Sequence, residues 1–473
     1  MTRINTNIPA LIAVNDLNRN NQALGDTLRR LSSGLKINRA GDDPAGLIIS
    51  ELLRGQIGAL QQAVNNSERT SNVLATAEGA LNEVSALLVT IRDLGVQASN
   101  RGALTAEEIR AAQLQMDSAI QSITRIANTT TFGGTQLLNG SLDYVTSGVS
   151  TTNIMDLDIA SVQFGTRSYI PVSIEVTSAA QAAGLAFTAV GLTASQNITI
   201  ELAGRGGVET LSFIGSTANS AILFAVNTVS DVTGVSASLS GTVLVLLSKE
   251  KGSEAFVSLH PLGGSFTTVL YENPAVTSQR DTGSDAVANI NGSVAVAQGN
   301  VLRLNNTSLS VEMMLLDGFT GTTSFAITGG GALFQLGAGI SMNEQMNLGL
   351  KSVAAGRLGA YSLGYLSDVT TGGRYSLIAG ESSQAMTIID KAILQIATLR
   401  GRLGAFELNT VQTNIHSLNV AIENATAAQS VIRDTDFAAE TANLTRAQIL
   451  VQAGTSVLAS ANMTPQNVLK LLA

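Results

Sequence analysis

The chain has 473 residues, a net charge of −8 and no cysteine, and only 13% of its residues are charged. The missing cysteine excludes a disulfide scaffold, a thiol nucleophile and a zinc–thiolate site, and a pI near 5.0 argues against a general nucleic-acid binder. Mean hydropathy is +0.25, yet the sequence has no run of about 18 apolar residues that would span a bilayer. The first residues also lack the apolar core of a secretory signal, so we expect neither membrane insertion nor a cleaved signal peptide.

Charge and aromatic residues divide the chain into three parts. Residues 1–140 carry 12 basic and 12 acidic groups, residues 141–380 carry 9 and 16, and residues 381–473 carry 6 and 7. The middle part holds 15 of the 18 aromatic residues and 30 of the 45 glycines. We therefore predict an α+β multidomain protein, in which long helices from both termini flank a β-rich outer domain.

A long helix is predicted to begin after Asp43, whose side chain can accept from free N–H groups, while Pro44 fits the first helical position. Apolar residues then recur at steps of mostly three or four over 53–94, which is the spacing of a seam that packs against another helix. Ser67 and Ser71 interrupt this seam. The seam therefore predicts a coiled-coil-like helix that is imperfect at one place.

Two further amphipathic segments lie in the N-terminal part. A capping box over 105–108 predicts a second helix that ends before Phe132. Ahead of the long helix, a leucine stripe predicts a shorter helix that is only marginally stable alone. The stripe consists of Leu17, Leu24, Leu28, Leu31 and Leu35.

The middle part alternates apolar and polar residues with a period of two, which indicates strands separated by Gly, Asn, Asp and Ser clusters. Residues 217–230 are predicted to form a short helix. We expect one or two α+β or mainly β modules over 141–380. The alternating residues are Val172, Ile174 and Val176; Ile198, Ile200 and Leu202; Val294 and Val296; and Leu309, Val311 and Met313.

The helical pattern returns near the C-terminus. Apolar residues from Ile389 to Ala425 again step by three or four and predict a helix over about 383–432. We infer that this helix pairs with the N-terminal helices and that the middle part is an excursion between them. A last stripe comprises Phe437, Leu444, Ile449, Leu450, Val457 and Leu458, and Thr464-Pro465 is expected to cap a final turn with Val468, Leu469 and Leu472.

Several motifs resemble bacterial flagellins. The resemblance covers about 1–140 and 383–473, and its motifs occur in the family's order at both termini. Segment 194–260 also looks like the flagellin hook IN module. The matching motifs are LSSGLKINRAGDDPAGLIIS (31–50), TFGGTQLLNG (131–140), LGAFELNTVQTNIHSLNVAIEN (403–424), IRDTDFAAETANLTRAQIL (432–450) and TRAQILVQAGTSVLASANMTPQNVLKLLA (445–473).

The resemblance implies a structural subunit, with no enzymatic activity and no cofactor, that polymerises into the helical flagellar filament for swimming motility. It also implies export through the flagellar type III system, an extracellular location, and partners that include other copies, a flagellar secretion chaperone, the filament cap and hook-junction proteins. The implied domains are an inner-core helix over 1–43 that is disordered as a monomer, core helices and a turn over 44–140, a variable outer domain over 141–380, a core helix over 381–433 and an inner-core helix over 434–473. The two terminal stripes are the expected polymerisation residues, because amphipathic helices need partners to bury them.

Other candidate sites have structural interpretations. His260 and His416 lack an HExxH motif or a paired carboxylate. The glycine-rich stretches 204–207 and 329–339 lack a phosphate-loop pattern and are expected to be turns. Acidic pairs at 42–43 and 107–108 are expected to favour helix N-termini. The sequons at Asn139 and Asn197 do not identify a glycosylation site.

Segment 87–97 resembles the stretch by which some flagellins activate a vertebrate Toll-like receptor. Val89 and Thr90 replace the polar Gln and the Arg that form the contact centre in those flagellins. We therefore predict weak or absent receptor activation, and expect this surface to contact other subunits instead. The matching residues are Arg92, Leu94 and Gln97.

Two alternatives remain open at this point. A hook–filament junction protein shares the terminal helical plan, although the motif from Gln448 to Leu472 favours the filament subunit. A secreted adhesin would have a β-rich middle, but it should also carry a secretory signal and an anchor. An enzyme is the weakest interpretation, because no nucleophile, base or metal constellation stands out.

Overall fold

The computed structural model describes residues 6–165, 167–189, 191–192, 197–306 and 308–472, and it describes side chains as far as residue 463. In this structure the chain divides into two units. The terminal-helix unit comprises the chain up to Arg69, Gln335–Ile340 and the chain from Leu408, and the larger unit comprises Thr70–Phe334 and Ser341–Glu407.

The helices lie mainly in the two terminal parts, and they confirm the helices predicted near 44–100, 105–130, 217–230 and 383–432. Helix α2 is 56 residues long. The helices are α1 (Ile8–Ser33), α2 (Pro44–Ser99), α3 (Ala106–Thr129), α4 (Asn219–Thr228), α5 (Ser230–Thr233), α6 (Ser382–Phe406), α7 (Thr413–Arg433) and α8 (Phe437–Leu472).

The N-termini of α2 and α3 are capped as the sequence predicts. The Asp43 Oδ1 accepts a hydrogen bond from the Gly46 N–H at 2.9 Å, and Pro44 occupies the first position of α2. The Thr105 N–H donates to the Glu108 Oε2 at 2.7 Å, while the Glu108 N–H donates to the Thr105 side chain. These hydrogen bonds lower the pKa of Glu108, because they favour the charged carboxylate. Both helices therefore start where local capping chemistry places them.

The larger unit contains the seam between α2 and α6. Leu88 and Ile91 of α2 and Ile389 of α6 are completely buried. Two ion pairs fix the register of these helices, since the Arg400 Nε lies 2.8 Å from the Glu78 Oε1 and the Arg92 Nε lies 2.8 Å from the Asp390 Oδ1. The inference that the two ends of the chain pair is confirmed by these contacts between residues about 300 positions apart.

The polar interruptions of the seam have partners on the C-terminal helices. The Ser71 Oγ donates to the Glu407 Oε1 at 2.7 Å. Ser67 is completely buried, and its Oγ accepts from the Asn414 Nδ2 at 3.2 Å. A π-helical segment, Glu407–Gln412, separates α6 from α7, so the helix predicted over 383–432 contains one wide turn. The sequence pattern missed this turn because a single extra residue barely disturbs steps of three and four.

The terminal-helix unit contains the first part of α2 together with α1, α7 and α8. Leu60, Ala63 and Val64 of α2 pack with Leu418 of α7 in one buried cluster. The Arg433 NH1 lies 3.0 Å from the Glu51 Oε1 at the end of α7. The N-terminal and C-terminal helices thus pair within this unit as well.

Strands fill the region between α3 and α6, and their ladders are antiparallel. This β-rich region between terminal helices confirms the predicted fold class. The strands are β1 (Thr131–Phe132), β2 (Thr135–Gln136), β3 (Tyr144–Ser147), β4 (Ile154–Val162), β5 (Ile170–Ser178), β6 (Gly184–Phe187), β7 (Ile198–Gly204), β8 (Val208–Phe213), β9 (Val235–Ser240), β10 (Val243–Ser248), β11 (Phe256–Gly263), β12 (Val269–Leu270), β13 (Arg280–Thr282), β14 (Val287–Ile290), β15 (Ser293–Val294), β16 (Val296–Gln298), β17 (Val301–Asn305), β18 (Leu309–Leu315), β19 (Gly321–Gly330), β20 (Ala332–Gln335), β21 (Gln345–Leu348), β22 (Gly359–Ala360) and β23 (Gly364–Tyr365).

Two β modules have separate hydrophobic cores. One core lies between the five-stranded sheet β15-β14-β5-β19-β3 and the four-stranded sheet β16-β17-β18-β4. The other lies between the sheets β12-β6-β10-β9 and β13-β11-β7-β8 together with α4. The predicted hook IN-like segment 194–260 contributes most of the second module's described strands.

Most of the alternating residues in the middle part face these cores. Val172, Ile174 and Val176 are buried, and so is Met313. Val294 and Val296 are the exception, since their side chains are 76% and 74% exposed. The alternation of side chains is that of a strand, but the valines point to solvent and Ala295 between them faces the core. A period of two does not by itself say which of the two faces is buried.

One segment before α6 packs against the terminal helices rather than within a β module. Gln113 of α3 is completely buried. Its Nε2 donates to the Val369 carbonyl oxygen at 2.9 Å, and its Oε1 accepts from the Leu377 N–H at 2.7 Å. The region predicted as an outer domain over 141–380 therefore includes a segment around 369–377 whose backbone is hydrogen-bonded to the buried Gln113 side chain of α3.

Replacing Gln113 with Ala is expected to lower the free energy of unfolding by about 2–4 kcal/mol, because two buried backbone groups lose their hydrogen-bond partner. Gln115→Ala on the exposed face of the same helix is the matched control, with an expected change within about 0.5 kcal/mol. Urea unfolding of the monomer measures both values. Equal stability of the two variants would contradict a clamping role for Gln113.

Helix α8 extends further than the sequence suggests. The prediction that Thr464-Pro465 begins a separate final turn is wrong, because α8 continues through these positions to Leu472. Proline removes one N–H donor, but its fixed φ is helical, so a helix can proceed past it at a cost.

Among the described residues, α2 is the helix that is long and apolar enough to cross a membrane. This is weak evidence for a membrane span, because buried core helices have the same length and apolar composition. Leu81 and Leu88 of α2 are completely buried, as expected of a core helix.

Candidate assembly surface

Helices α1 and α8 run antiparallel within the terminal-helix unit. The Asn7 Nδ2 donates to the Ala461 carbonyl oxygen at 2.9 Å, and at the other end of α1 the Lys36 N–H donates to the Arg433 carbonyl oxygen at 2.7 Å. Asn7 also caps α1, since its Oδ1 accepts from the Ala10 N–H. The two chain ends therefore form one helical pair with a defined register.

This pair covers only part of its leucine stripes. Of the predicted polymerisation residues, six are half-buried in the pair and four remain exposed; Leu469 and Leu472 lie outside the residues whose side chains are described. The half-buried residues are Leu17, Leu24, Leu31, Leu35, Leu444 and Leu458, and the exposed ones are Leu28, Ile449, Leu450 and Val457.

Further exposed apolar residues extend this surface beyond the predicted polymerisation residues. The leucine stripe begins at Leu17, whereas the apolar segment IPALIAV already marks the start of α1 and is the signal that identifies most of them. We call α1 and α8 with these exposed side chains the terminal apolar surface. The additional residues are Ile8, Leu11, Ile12, Val14 and Met463, and Phe437 of the predicted C-terminal stripe is exposed as well.

Charged groups stabilise the end of the helical pair at which α1 ends and α8 begins. Glu440 is buried on α8 and lies 3.7 Å from Arg30 of α1. The Asp42 Oδ2 accepts from the Arg39 and Asn38 N–H groups, and these hydrogen bonds lower the pKa of Asp42. Asp42 thus closes the turn directly before α2, and the acidic pair 42–43 lies at a helix N-terminus as predicted. Asp43 alone caps α2.

The segment that resembles a receptor-binding stretch lies on α2 in the larger unit. Arg92 is half-exposed and forms an ion pair with Asp390 of α6. Gln97 is exposed, whereas Leu94 is buried in the seam. Only Arg92 and Gln97 of the three matching residues can therefore contribute to a surface contact.

The remaining candidates do not come together as a catalytic centre. His260 and His416 are both exposed, and among the described residues no three His, Cys, Asp or Glu side chains are grouped as metal ligands. A cavity of about 890 Å³ in the larger unit is lined by charged groups, of which Asp158 lies 3.1 Å from Lys351. Burial raises the pKa of Tyr144 at this cavity to about 12, while its hydroxyl donates to the Asn347 carbonyl oxygen. These groups hold neighbouring segments together.

The terminal helices pair with each other, leave apolar side chains exposed and flank a β-rich region in the sequence, which is the organisation of a structural subunit. The N-terminal helical region of bacterial flagellin matches residues 4–143, and the C-terminal helical region matches residues 386–472. The chain is 30% identical to the flagellin of Salmonella typhimurium over 511 aligned residues, which cover 99% of each chain. It is 31% identical to the flagellin of Clostridium tyrobutyricum, over 98% of this chain and 100% of that one. The chain belongs to the bacterial flagellins and is a structural subunit of the flagellar filament.

Solved flagellar structures show a weaker likeness. The flagellar hook associated protein-3 of Legionella pneumophila is 15% identical, covers 81% of this chain and 98% of its own, and has a TM-score of 0.31. The flagellar cap protein of Escherichia coli is 20% identical over 45% of this chain, with a TM-score of 0.30. These scores are too low to add to the assignment.

Proposed function

We propose that this flagellin forms a homopolymer by burying the terminal apolar surface between copies. The observation that carries the proposal is the exposure of Leu11, Ile449 and Val457 on the α1–α8 pair. The buried apolar residues described in this pair are the small Ala13 and Ala447. Burial of apolar surface yields about 25 cal/mol per Å², so a surface of this length stabilises association strongly when repeated along a filament. An interface between different faces of neighbouring copies, with a rotation that does not close, produces an open helical filament.

The domain roles follow from this assembly. Residues 1–43 and 434–473 would form the inner core. In the free monomer they would be disordered, and the α1–α8 pair would become stable when neighbouring copies cover it, as expected for marginal amphipathic helices. Residues 44–140 and 381–433 would form the surrounding helical layer. The β modules within 141–380 would face outward, where their net charge of −7 (9 basic and 16 acidic groups) meets water.

The family membership supports a set of partners and a location. The chain would pass through the flagellar type III system with a secretion chaperone, and would be added beneath the filament cap beyond the hook-junction proteins. Its location would be the extracellular filament. Its role would be structural, without catalysis or a cofactor. The junction protein and the secreted adhesin are not favoured, because flagellin relatives align with nearly the whole chain.

Two charges placed on α8 test the proposed surface. Ile449→Asp/Val457→Asp is expected to abolish filament formation, because both side chains are more than half exposed and would carry charge into the interface between copies. Gln448→Asp/Gln452→Asp adds the same charge at exposed polar positions of α8 and should assemble. Electron microscopy and light scattering after seeding measure both variants. Filaments from the first variant at the wild-type yield would contradict the proposal.

We also expect weak or absent activation of the flagellin-sensing Toll-like receptor. Arg92 is engaged by Asp390, and Val89 and Thr90 stand where activating flagellins carry polar and basic side chains. A reporter assay with purified monomer measures the response. Activation comparable to that by a strongly stimulating enterobacterial flagellin would contradict this prediction, and Thr90→Arg should raise the response if the missing arginine is the cause.

A further inference from the structure

One hairpin of the outer region carries no charge. Residues 286–302, between Asp285 and Arg303, contain no charged side chain, although the middle part as a whole has a net charge of −7. The structure folds most of this stretch into β14, β15 and β16. An uncharged segment of an acidic region is one of the places where two copies of that region would repel each other least.

Three valines of this stretch face outward, although Ile290 and Leu302 of the same stretch are completely buried. Ala288 and Ala295 are buried in the module's core, whereas Val287, Val294 and Val296 are exposed. Exposed strand positions normally carry polar residues, so three exposed valines close together depart from the usual pattern. Three outward valines on adjoining strands form a strip, which we call the valine strip.

The valine strip is held in shape by its own turn. Asn291 and Gly292 connect β14 to β15 with φ angles of 50° and 77°, as a two-residue hairpin turn requires. The Asn291 N–H donates to the Ser173 carbonyl oxygen at 2.8 Å, and the Ser173 N–H donates to the Asn291 Oδ1 at 2.8 Å. The strip is therefore anchored to β5 and already ordered before any partner binds, which lowers the entropy cost of binding.

The same segment forms the edge of two sheets. Strand β15 is the last strand of the five-stranded sheet and β16 is the last strand of the four-stranded sheet in the described part of the chain. Edge strands are usually protected from pairing by charged residues or proline. Residues 293–298 contain neither. This edge therefore lacks those two protections, and the shortness of β15 and β16 is the protection that it retains.

We propose that the valine strip is a contact between outer regions, in which the β15–β16 edge pairs with an edge strand of a second copy. The proposal rests on the filament assembly proposed above, because a filament places copies side by side at high effective concentration. Main-chain hydrogen bonds would supply the pairing and the valines would supply the buried apolar area. A second copy is the occupant, since the contact lacks charge where two acidic surfaces must approach.

Photo-cross-linking in filaments tests this contact. The chain has no cysteine, so Val294→Cys provides a unique attachment point for benzophenone maleimide. Filaments copolymerised from nitrogen-15-labelled and unlabelled chains, then irradiated, should yield cross-linked dimers that contain both isotopes. The cross-linked peptides should come from within 141–380 of a second copy. Val208→Cys, also at an exposed valine of an edge strand, is the matched control.

The dimer yield from Val294→Cys is expected to exceed that of the control by about tenfold, because pairing holds the probe against one neighbour. Equal yields in intact filaments, or cross-links confined to single chains, would overturn the inference while leaving the filament assembly standing. If the wild-type chain forms no filaments, the assembly proposal fails and this inference fails with it.

Discussion

Deletion of residues 445–473 is expected to leave a soluble chain that cannot polymerise. The deletion removes Ile449, Leu450 and Val457 from the terminal apolar surface and takes from α1 most of its antiparallel partner. Without these residues, a copy has too little apolar area left to hold its neighbours. Sedimentation and electron microscopy after seeding should show monomer alone, at concentrations at which the full chain is fully assembled.

The same deletion provides its own control for folding. None of the residues removed belongs to the larger unit, so the thermal unfolding of that unit should stay within a few degrees of the full chain's. Loss of assembly together with loss of the larger unit's transition would indicate general misfolding. Normal filaments from the truncated chain would contradict the proposed role of α8.

Leu88→Ala is expected to lower the free energy of unfolding by about 2–5 kcal/mol, because Leu88 is completely buried in the seam and leaves a cavity when truncated. Val89→Ala, at the next position, is the matched control and should change stability by about 0.5 kcal/mol or less, since Val89 is half-exposed. Urea denaturation of the monomer, followed by circular dichroism, measures both. A loss for Val89→Ala as large as that for Leu88→Ala would contradict the assigned orientation of α2.

Local signals allowed much of the helical architecture to be predicted. The capping chemistry at Asp43 and at Thr105 specifies where α2 and α3 begin, because these side chains satisfy N–H groups of their own helix. The seam along α2 and α6 is equally local, since its spacing alone selects the buried face. These features depend on residues within a few positions of one another, which is why the sequence pattern identifies them.

Features that depend on distant residues were not predictable in the same way. Ser67 and Ser71 interrupt the seam in the sequence, and only the structure supplies Asn414 and Glu407 as their partners. The π-helical turn over Glu407–Gln412 accompanies these contacts. A polar residue on an apolar face indicates that a partner exists but does not say which residue more than 300 positions away provides it.

The candidate site was predicted in part. The leucine stripes of α1 and α8 identify the helices that form the terminal apolar surface, but half-burial of Leu24 and exposure of Ile449 depend on how the two helices meet. Val294 and Val296 show the same limit in the β modules, because a strand pattern fixes the period and leaves the buried face to the neighbouring strands. Side-chain periodicity therefore predicts the elements better than it predicts their surfaces.

Antibody labelling along intact flagella tests most directly whether this chain is the filament's structural subunit. Gold-conjugated antibody raised against residues 141–380 should decorate the filament along its whole length, because every copy would present its β modules outward under this proposal. Labelling confined to the junction of hook and filament, or absent from the filament, would contradict the account.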